Sequence, residues 1–542
     1  MTSRSDTMAR LLRMARLSER CDGTGENAQE AIGHADAHSP GRRDFGKGVL
    51  AATTTAAAWA LTSGAMAAPK GSRLTPIRPR LSGNVAIVGA GLAGLSCATE
   101  LARVGIYTRV YEAADRVGGR CASLRGVFPG QVVERGGEFI NSSHHTLIGY
   151  ARELGLALED YSTFPGSASY YFGGQKYSEA QVVEEYRAFA SSIQEDLGAL
   201  SYPTADRFSE SDQLFDFMSL DEYLTLHGAG SLLRDVIGSA YLAEYGASIA
   251  ELSSISFLRF IYGDKRSKQA PFGVGSGEYL RVADGNDRIA TGLADRLSMP
   301  VELGHRLVAM RKLANGNIRL VFDAGGSTVE TEHPAVVMTL PFSVLRDIEL
   351  HASLGLPAWK RLAIKTTDMG DHSKLLVGFN QPYWRTRHGL NGTGFSDRAD
   401  LQATWEANPS QSGDNRAVLV GHFGGARARS MTAATLQGDA NAFLGQLEQA
   451  MPGANAAAVR DGAGQVLAYS SNWSSNPFSK GSHSCNRPGY FTTNAHNEGK
   501  AVDNLLFAGE HTSSFYEWQG FMEGAALSGL RAAGEVAAMA DA

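Results

Sequence analysis

The chain has 542 residues, of which 43% are hydrophobic and 20% are charged. This length is too great for one compact core and predicts at least two domains, and the composition is that of an ordinary globular protein rather than of a disordered chain or a membrane bundle. Lysine and arginine total 50 against 56 acidic residues, a formal charge of −6, so a surface that binds nucleic acid is not expected.

Residues 1–68 are predicted to be an export signal and an N-terminal arm. Arg42 and Arg43 are followed by a weakly apolar run, 49–61, and then by the small-x-small sequence at 65–67. This order is typical of a twin-arginine signal, and a disordered alanine-rich arm is the alternative. We therefore expect a protein that is exported already folded, to the periplasm or the medium. The run is too short and too polar for a stable membrane span.

The four cysteines predict neither a disulfide framework nor a metal site. Cys21 would be removed with the signal, and Cys97, Cys121 and Cys485 are an odd number without the close pairing of metal ligands. They are interpreted as small buried hydrophobic residues.

A dinucleotide-binding pattern follows the arm. The apolar run Val85–Val88 is predicted to be a strand, and the sequence GAGLAG then opens a stretch with apolar residues at helical spacing. Gly89 permits a tight turn, Gly91 lets the backbone approach a diphosphate at the helix N-terminus, and Gly94 lets the helix pack on the strand.

A second strand is predicted over Thr108–Tyr111, directly before Glu112. An acid at this position accepts hydrogen bonds from the ribose hydroxyls of a bound dinucleotide. Strand, helix and acid all lie at the expected spacing, which argues against a plain glycine-rich turn. The pattern does not distinguish NAD from FAD.

Two further glycine pairs make that distinction. "RVGGRCAS" places Gly118-Gly119-Arg120 after the second strand, and "ERGGEF" places Gly136-Gly137 further on. With them the sequence resembles the flavin-containing amine oxidase superfamily, which includes monoamine, polyamine and L-amino acid oxidases. In this family the first pair lies along the diphosphate and ribityl chain of FAD, and the second brings backbone close to the isoalloxazine. The resemblance implies FAD, and a plain NAD enzyme is the alternative.

The resemblance continues towards the C-terminus. "LVAMRK" contains Val308, whose backbone would contact the adenine, and "AVVMTLPFSVL" resembles a strand that returns to the FAD domain. Leu505–Ala508 resembles the last strand, after which Glu510 would bond the ribityl hydroxyls. A helix then opens near Met522, and its first N–H groups would face the pyrimidine side of the flavin, where the reduced ring is negative. The aromatic residues of "SSFYEWQGF" would face the substrate.

The same resemblance implies the substrate-side residues. Trp473 would lie at the flavin edge, His483 and Phe521 would be two facing rings, and Lys374 would hold a water near flavin N5 and stabilise negative charge forming on O2. Core packing is the alternative for each ring, and a solvent-facing strand position for Lys374. Ser482 stands where monoamine oxidases carry the cysteine that binds flavin covalently, so the FAD is expected to be noncovalent.

The implied fold is α/β: a doubly wound, Rossmann-like FAD-binding domain interleaved with an α+β substrate domain. The FAD-binding domain is expected over 84–148, 285–362 and 476–538, and the substrate domain over 149–284 and 363–475. The predicted cofactor-binding residues are Gly89, Gly91, Ala93, Gly94, Glu112, Gly119, Arg120, Gly136, Gly137, Glu138, Phe139, Val308, Gly509, Glu510, Gly520, Phe521 and Met522.

The implied reaction removes hydride from the carbon beside an unprotonated amine, giving an imine that water hydrolyses, while O2 reoxidises the flavin and yields H2O2. An L-amino acid is the first substrate hypothesis, and a monoamine or diamine that gives an aldehyde is the second. An amino acid 2-monooxygenase, a desaturase-like flavoprotein and a non-enzymatic flavoprotein scaffold remain alternatives, and a homodimer is left open.

The substrate hypotheses depend on one missing group. Many L-amino acid oxidases carry an arginine for the substrate carboxylate where Phe139 stands, which argues for simple amines. Against this, "GGEFI", "GFSD", "QATWE", Ser482 and His483 look more like exported bacterial amino acid oxidases. Arg487 is a candidate substitute for the missing arginine, and a surface loop position is its alternative.

Overall fold

The computed structural model describes residues 83–161, 164–262, 279–414, 416–513 and 518–541. The predicted export signal and arm lie outside these ranges. No helix within the described ranges combines the length and the apolar character needed to cross a membrane.

The strands of the described ranges are numbered in chain order. They are β1 Val85–Val88, β2 Thr108–Tyr111, β3 Ser123–Leu124, β4 Val133–Glu134, β5 Ile140–Asn141, β6 Leu158–Asp160, β7 Ser167–Phe172, β8 Gln175–Tyr177, β9 Tyr279–Val282, β10 Arg306–Lys312, β11 Ile318–Ala324, β12 Ser327–His333, β13 Val336–Met338, β14 Glu349–Leu350, β15 Asp368–Met369, β16 His372–Phe379, β17 Leu390–Ser396, β18 Ala403–Glu406, β19 Ala417–Gly424, β20 Ala468–Asn472, β21 Ser484–Cys485 and β22 Leu505–Phe507.

The α-helices of the same ranges are numbered likewise. They are α1 Leu92–Arg103, α2 His145–Glu153, α3 Glu179–Ala190, α4 Gln194–Ala199, α5 Glu210–Phe217, α6 Leu220–Leu226, α7 Ser231–Tyr245, α8 Ser254–Tyr262, α9 Asp287–Ala294, α10 Phe342–Leu345, α11 Ala358–Thr366, α12 Tyr383–His388, α13 Gly425–Ser430, α14 Leu436–Ala450, α15 Ala454–Ala457, α16 Tyr490–Thr493 and α17 Met522–Asp541.

A parallel sheet with the order β2-β1-β13-β22 forms the centre of the FAD-binding part. The last residues of the four strands lie side by side, Val88 between Tyr111 and Met338, and Met338 beside Phe507. Strands β1, β13 and β22 are apolar and buried along their whole length, as expected of a parallel sheet covered on both faces, and β2 is buried in its second half. The four strands come from the three segments that the sequence predicts for this domain. The limits of the domain stay a prediction.

Helix α1 packs on the end of β1 and the turn after it, and helix α17 packs on α1, both at backbone-contact distance. A Cβ on Gly94 would lie 2.0 Å from the carbonyl oxygen of Gly89, and a Cβ on Gly529 would lie 2.2 Å from that of Ala93. Only glycine fits at either position, so the predicted packing role of Gly94 is confirmed. The three cysteines Cys97, Cys121 and Cys485 are buried as predicted.

The substrate part is built on a second sheet with the order β20-β16-β19-β18-β17-β7-β8. Its pairs are antiparallel except for β17 with β7. Strand β16 is buried along its whole length: Leu375 and Val377 pack towards α14, and Leu376 packs with Phe128 of the other part. Because side chains alternate along a strand, Lys374 lies on the same face as Leu376, towards the FAD-binding part.

Two of the smaller sheets, β5-β9-β6 and β15-β21, pair strands of the two parts. Strands β12-β11-β10-β14 form one sheet, β5-β9-β6 another, and β3-β4 and β15-β21 are two-stranded. In β5-β9-β6, Ile140 of β5 and Asp160 of β6 lie on either side of Leu280 of β9, which is far from both in the chain.

Candidate active site

A cavity of about 510 Å³ extends from the carboxyl ends of the parallel sheet to one face of the seven-stranded sheet. Every residue predicted to bind the cofactor lines it, except Gly94, which packs under Gly89, and so do Lys374, Trp473 and His483. The two glycine pairs, the last strand and the predicted substrate-side residues therefore meet at a single site.

At one end of the cavity, helix α1 presents its N-terminus. Gly89 has φ +107°, a conformation that favours glycine. Among the described residues, a Cβ on Gly91 would meet no atom within 4 Å, and no side chain caps the helix. The backbone at Gly91 is thus open to the cavity, as a diphosphate at a helix N-terminus requires.

Glu112 lies on the wall of the same end and is buried. Its carboxylate accepts hydrogen bonds from the backbone N–H groups of Ala90, over 2.8 Å, and Ala114, over 2.9 Å. These two contacts fix the acid beside the glycine turn. The predicted bond to a ribose hydroxyl stays a prediction.

Arg120 and Glu510 form the middle of the cavity. Nη1 of Arg120 donates to Oε1 of Glu510 and to the carbonyl oxygen of Ser482, both over 2.7 Å. Oε2 of Glu510 accepts from Ser484 Oγ over 2.5 Å and from the N–H of Gly520 over 2.7 Å. Burial alone would raise the pKa of Glu510, but Arg120 and Ser484 bring the pKa down to about 2. Glu510 is therefore ionised. It links Arg120, which follows the glycine pair Gly118-Gly119, to the turn before α17.

The second glycine pair lies where larger residues do not fit. A Cβ on Gly136 would lie 2.0 Å from the carbonyl oxygen of Arg120 and 3.0 Å from the ring of Trp473, and a Cβ on Gly137 would lie 2.8 Å from Sδ of Met522. The missing side chains let this backbone reach the part of the cavity that the sequence assigns to the flavin ring.

Lys374 lies on the seven-stranded sheet, and its side chain points towards residues 134–138, the segment that carries the second glycine pair. Its Nζ donates to Oε2 of Glu138 over 2.6 Å, to the carbonyl oxygen of Gly136 over 2.8 Å and to that of Glu134 over 3.2 Å. Its side chain is 7% exposed and that of Glu138 is 3% exposed, so a solvent-facing position for this lysine is ruled out. The water near flavin N5 stays a prediction.

Trp473 is held from the same segment. Its Nε1 donates to the carbonyl oxygen of Arg135 over 2.9 Å, and Ser471 Oγ donates to the same oxygen over 2.8 Å. The ring borders both Gly136 and the cavity, and its position at the flavin edge stays a prediction.

Three stacked imidazole rings line the wall beside Lys374. The rings of His422 and His483 lie on either side of His372, at centroid distances of 4.8 and 4.7 Å and interplanar angles of 12°. Trp405 packs on the outer face of His422 at 5.1 Å. We call the three rings the histidine column.

The column meets the C-terminal end of helix α7. Nε2 of both His372 and His422 lies 3.0 Å from the carbonyl oxygen of Ala243, and Nε2 of His483 lies 2.6 Å from that of Glu244. Carbonyl oxygens in the last turn of a helix have no partner within it, so each Nε2 carries the proton and donates. Burial lowers the pKa of His372 well below its usual range, and burial together with Lys374 lowers the pKa of His422 to about 3. These two rings are neutral at physiological pH.

The two rings predicted as a facing pair both line the cavity, in different surroundings. His483 belongs to the histidine column, whereas Phe521 packs edge-on against His144 at 5.3 Å and Trp518 at 5.4 Å. Whether the substrate passes between them stays a prediction. Trp518, which was also predicted to face the substrate, is not among the lining residues. The remaining aromatic residues predicted for this region lie in 514–517, outside the described residues.

Arg487 does not lie at the cavity. Its Nε donates to Asp368 over 3.0 Å and its Nη1 to Glu251 over 2.8 Å, and it is not among the lining residues. Of the two alternatives left open for Arg487, a position outside the site is therefore favoured over binding of a substrate carboxylate, because two acids of the substrate part already hold it.

Sequence reasoning missed His372, His422 and Trp405 as lining residues. For His372 a signal exists, since it precedes Lys374 by two positions in one strand and so shares its face. His422 faces Lys374 only through the register of β16 with β19, and Trp405 comes from a third strand; neither follows from a local pattern.

The family model for flavin-containing amine oxidoreductase matches residues 92–537. The chain is 27% identical over 469 residues to a putative flavin-containing monoamine oxidase, AofH, of Mycobacterium tuberculosis, covering 84% of this chain and 97% of that one. It is 26% identical over 493 residues to the flavin-dependent L-tryptophan oxidase RebO of Lentzea aerocolonigenes, covering 83% and 96%. The chain belongs to the flavin-containing amine oxidoreductase family.

Solved structures have the same fold. Cyclohexylamine oxidase from Brevibacterium oxydans matches with a TM-score of 0.70 at 20% identity, over 84% of this chain and 99% of that one. Putrescine oxidase bound to putrescine matches with a TM-score of 0.68 at 20% identity over the same shares. The fold is the two-domain α/β fold of flavin amine oxidases, and the cofactor is FAD. The open backbone at Gly91 and the Arg120–Glu510 pair suit that dinucleotide.

Proposed function

We propose that the chain is an FAD-dependent oxidase that dehydrogenates the carbon bearing a primary amino group, and that its preferred substrates carry no carboxylate on that carbon. The observation that carries the second part is the ion pair between Lys374 and Glu138. Among the lining residues of the seven-stranded sheet, Lys374 is the only lysine or arginine, and Glu138 neutralises it.

Among the described residues of the seven-stranded sheet that line the cavity, none offers an uncompensated positive charge to a substrate carboxylate. Phe139 is apolar, Arg487 is held elsewhere, and His422 is neutral because its pKa is about 3. Each charge-assisted hydrogen bond left unmade costs about 1.5 to 3 kcal/mol. An amine without a carboxylate avoids this cost.

The residues of the chain supply binding and orientation. When bound in this cavity, FAD would accept the hydride from the amine-bearing carbon and pass two electrons, with two protons, to O2 as H2O2. Glu510 and Arg120 would hold the ribityl region, Gly136 and Gly137 would let backbone approach the ring, and the N-terminus of α17 would favour negative charge on it. Hydride transfer needs orientation and an apolar site more than an acid or a base.

An L-amino acid is the second candidate substrate, supported by the sequence phrases shared with bacterial amino acid oxidases and by the similarity to RebO. AofH, a putative monoamine oxidase, supports the first candidate to a similar degree. The similarity to relatives therefore does not choose between them, and the charge on the cavity wall is the argument for amines.

The test compares amino acids with their decarboxylated amines, such as L-phenylalanine and phenethylamine, in a peroxide-coupled assay that also measures ammonia. We expect kcat/KM at least about tenfold higher for the amine, the equivalent of about 1.4 kcal/mol. A preference for the amino acid across several pairs would establish the L-amino acid oxidase instead. Product without peroxide would indicate a 2-monooxygenase, and no flavin reduction by any amine would indicate a scaffold.

A further inference from the structure

We propose that Glu138 is a positioning residue that fixes the ammonium group of Lys374 and cancels its charge at the flavin end of the cavity. The kinetic part of this inference rests on the proposed function. The part that concerns stability and redox potential needs only bound FAD.

The first argument is the hydrogen-bond capacity of Lys374. An ammonium group has three protons to donate, and Nζ has three protein acceptors, Glu138 Oε2, Gly136 O and Glu134 O. All three belong to the short segment of the FAD-binding part that carries the second glycine pair. The lysine thus joins the substrate sheet to the backbone that approaches the flavin.

The second argument is that Glu138 is itself held rigidly. Asn286 Nδ2 donates to the carbonyl oxygen of Glu138 over 2.6 Å and to that of Gly137 over 3.2 Å. Gly137 lies against Met522 with no room for a Cβ. The carboxylate is therefore placed by backbone on the FAD-binding side, and Lys374 meets it from the other side.

The third argument is that each charge is compensated mainly by the other. Oε1 of Glu138 is buried and has no hydrogen-bond partner among the described residues, so Lys374 is the only cation in contact with this carboxylate. His422 lies opposite Lys374 in the pairing of β16 with β19. It is neutral, so it adds no charge to the Lys374–Glu138 pair. Removing one partner of a buried pair leaves the other charge uncompensated, which is far more damaging than removing both.

The pair should act on the flavin through its charge. A cation beside the flavin stabilises the reduced, negatively charged ring, and an anion disfavours it. With both charges present, their net effect on the flavin potential is small. The variant Glu138→Gln leaves the cation of Lys374, and the variant Lys374→Met leaves the anion of Glu138, so the two should shift the flavin potential in opposite directions.

The experiment uses the FAD-loaded full chain and the variants Glu138→Gln, Lys374→Met and the double variant. Anaerobic redox titration of the bound FAD should give a higher midpoint potential for Glu138→Gln, a lower one for Lys374→Met, and a value near that of the unmodified protein for the double variant. The thermal midpoint of Lys374→Met should fall, and the double variant should recover part of that loss. Reoxidation of reduced Glu138→Gln by O2 should be about tenfold faster, since one unshielded charge is enough for such a change.

Glu406→Gln is the matched control. Glu406 is a buried carboxylate that accepts from Arg385 Nη2 and Trp384 Nε1, both over 2.8 Å, and it does not line the cavity. It should lose thermal stability without a change in flavin potential. An unchanged potential in Glu138→Gln, or a loss of stability in Lys374→Met that the double variant keeps in full, would overturn the proposal. A protein that binds FAD and shows these shifts but oxidises no amine would refute the proposed function alone.

Discussion

Nδ1 of His372 and Oγ of Ser482 lie 2.5 Å apart, which fixes the serine side chain on the histidine column. Burial keeps His372 neutral by lowering its pKa well below the usual range, and Nε2 donates its proton to Ala243. Oγ of Ser482 also lies 2.8 Å from the carbonyl oxygen of Gly370, so both His372 and Gly370 hold the hydroxyl in place. By the resemblance of the sequence, this serine stands at the position where monoamine oxidases carry the cysteine that binds flavin.

We predict from this arrangement that the FAD is noncovalent. Ser482 has no thiol to form a thioether, and its hydroxyl is already engaged by His372. Precipitation of the holoprotein with acid should release the flavin, so that the supernatant is yellow and the washed pellet is colourless. Flavin absorbance that stays with the washed pellet would show a covalent bond and contradict the prediction.

A second prediction separates two glycines of the same motif. A Cβ on Gly91 meets no protein atom within 4 Å and would project into the cavity, whereas a Cβ on Gly94 would lie 2.0 Å from the carbonyl oxygen of Gly89. Gly91→Ala should therefore keep the thermal midpoint of the apoprotein and weaken FAD binding, by about tenfold or more. Gly94→Ala should lower the thermal midpoint even without FAD.

The measurement is reconstitution of the apoprotein with FAD, followed by flavin fluorescence, together with thermal unfolding of both apoproteins. Each variant serves as the control for the other. Unchanged FAD affinity in a folded Gly91→Ala protein would mean that the diphosphate does not lie at this turn.

A third prediction concerns acid stability and His511. This histidine is buried, its ring lies 4.5 Å from that of Phe342, and neither ring nitrogen has a hydrogen-bond partner within the described ranges. Burial lowers its pKa to about 3, against about 6.5 in the unfolded chain. Below pH 6.5 the unfolded chain therefore binds a proton that the folded protein does not bind until near pH 3, so stability falls over this window as the pH falls. At pH 5 this one group costs roughly 2 kcal/mol.

The variant His511→Phe keeps a ring of similar shape and removes the proton-binding group. Between pH 7 and pH 5 the variant should lose less thermal stability than the unmodified protein, as measured by calorimetry. His351→Gln, at an exposed histidine, is the control for loss of a histidine elsewhere in the chain. Parallel pH curves for His511→Phe and the unmodified protein would argue that His511 does not contribute.

A fourth prediction tests export, which we propose on sequence alone. Arg42 and Arg43 lie outside the described residues, and twin-arginine export depends on that pair. Replacing both by lysine should leave folded, FAD-loaded protein in the cytoplasm, measured by cell fractionation and flavin fluorescence. Unchanged export of the double variant would reject the twin-arginine interpretation.

Local features of the sequence were sufficient to predict much of the secondary structure of the FAD-binding part. The predicted strands Val85–Val88 and Thr108–Tyr111 are present with those limits, and the strand predicted over Leu505–Ala508 ends one residue earlier. The predicted start of the last helix near Met522 is confirmed. Such features are readable because a glycine turn, an apolar run and a helical repeat each depend on neighbouring residues.

The sequence by itself determined the family, the cofactor and the glycines that must approach it, since a missing Cβ is a property of one position. Only the tertiary structure decided how the substrate wall is charged. Glu138, the partner of Lys374, is 236 positions away, His422 faces Lys374 through strand register, and Arg487 is held by two acids outside the cavity. Electrostatic partners are set by distance in space, which packing and strand register fix and which no local sequence pattern encodes.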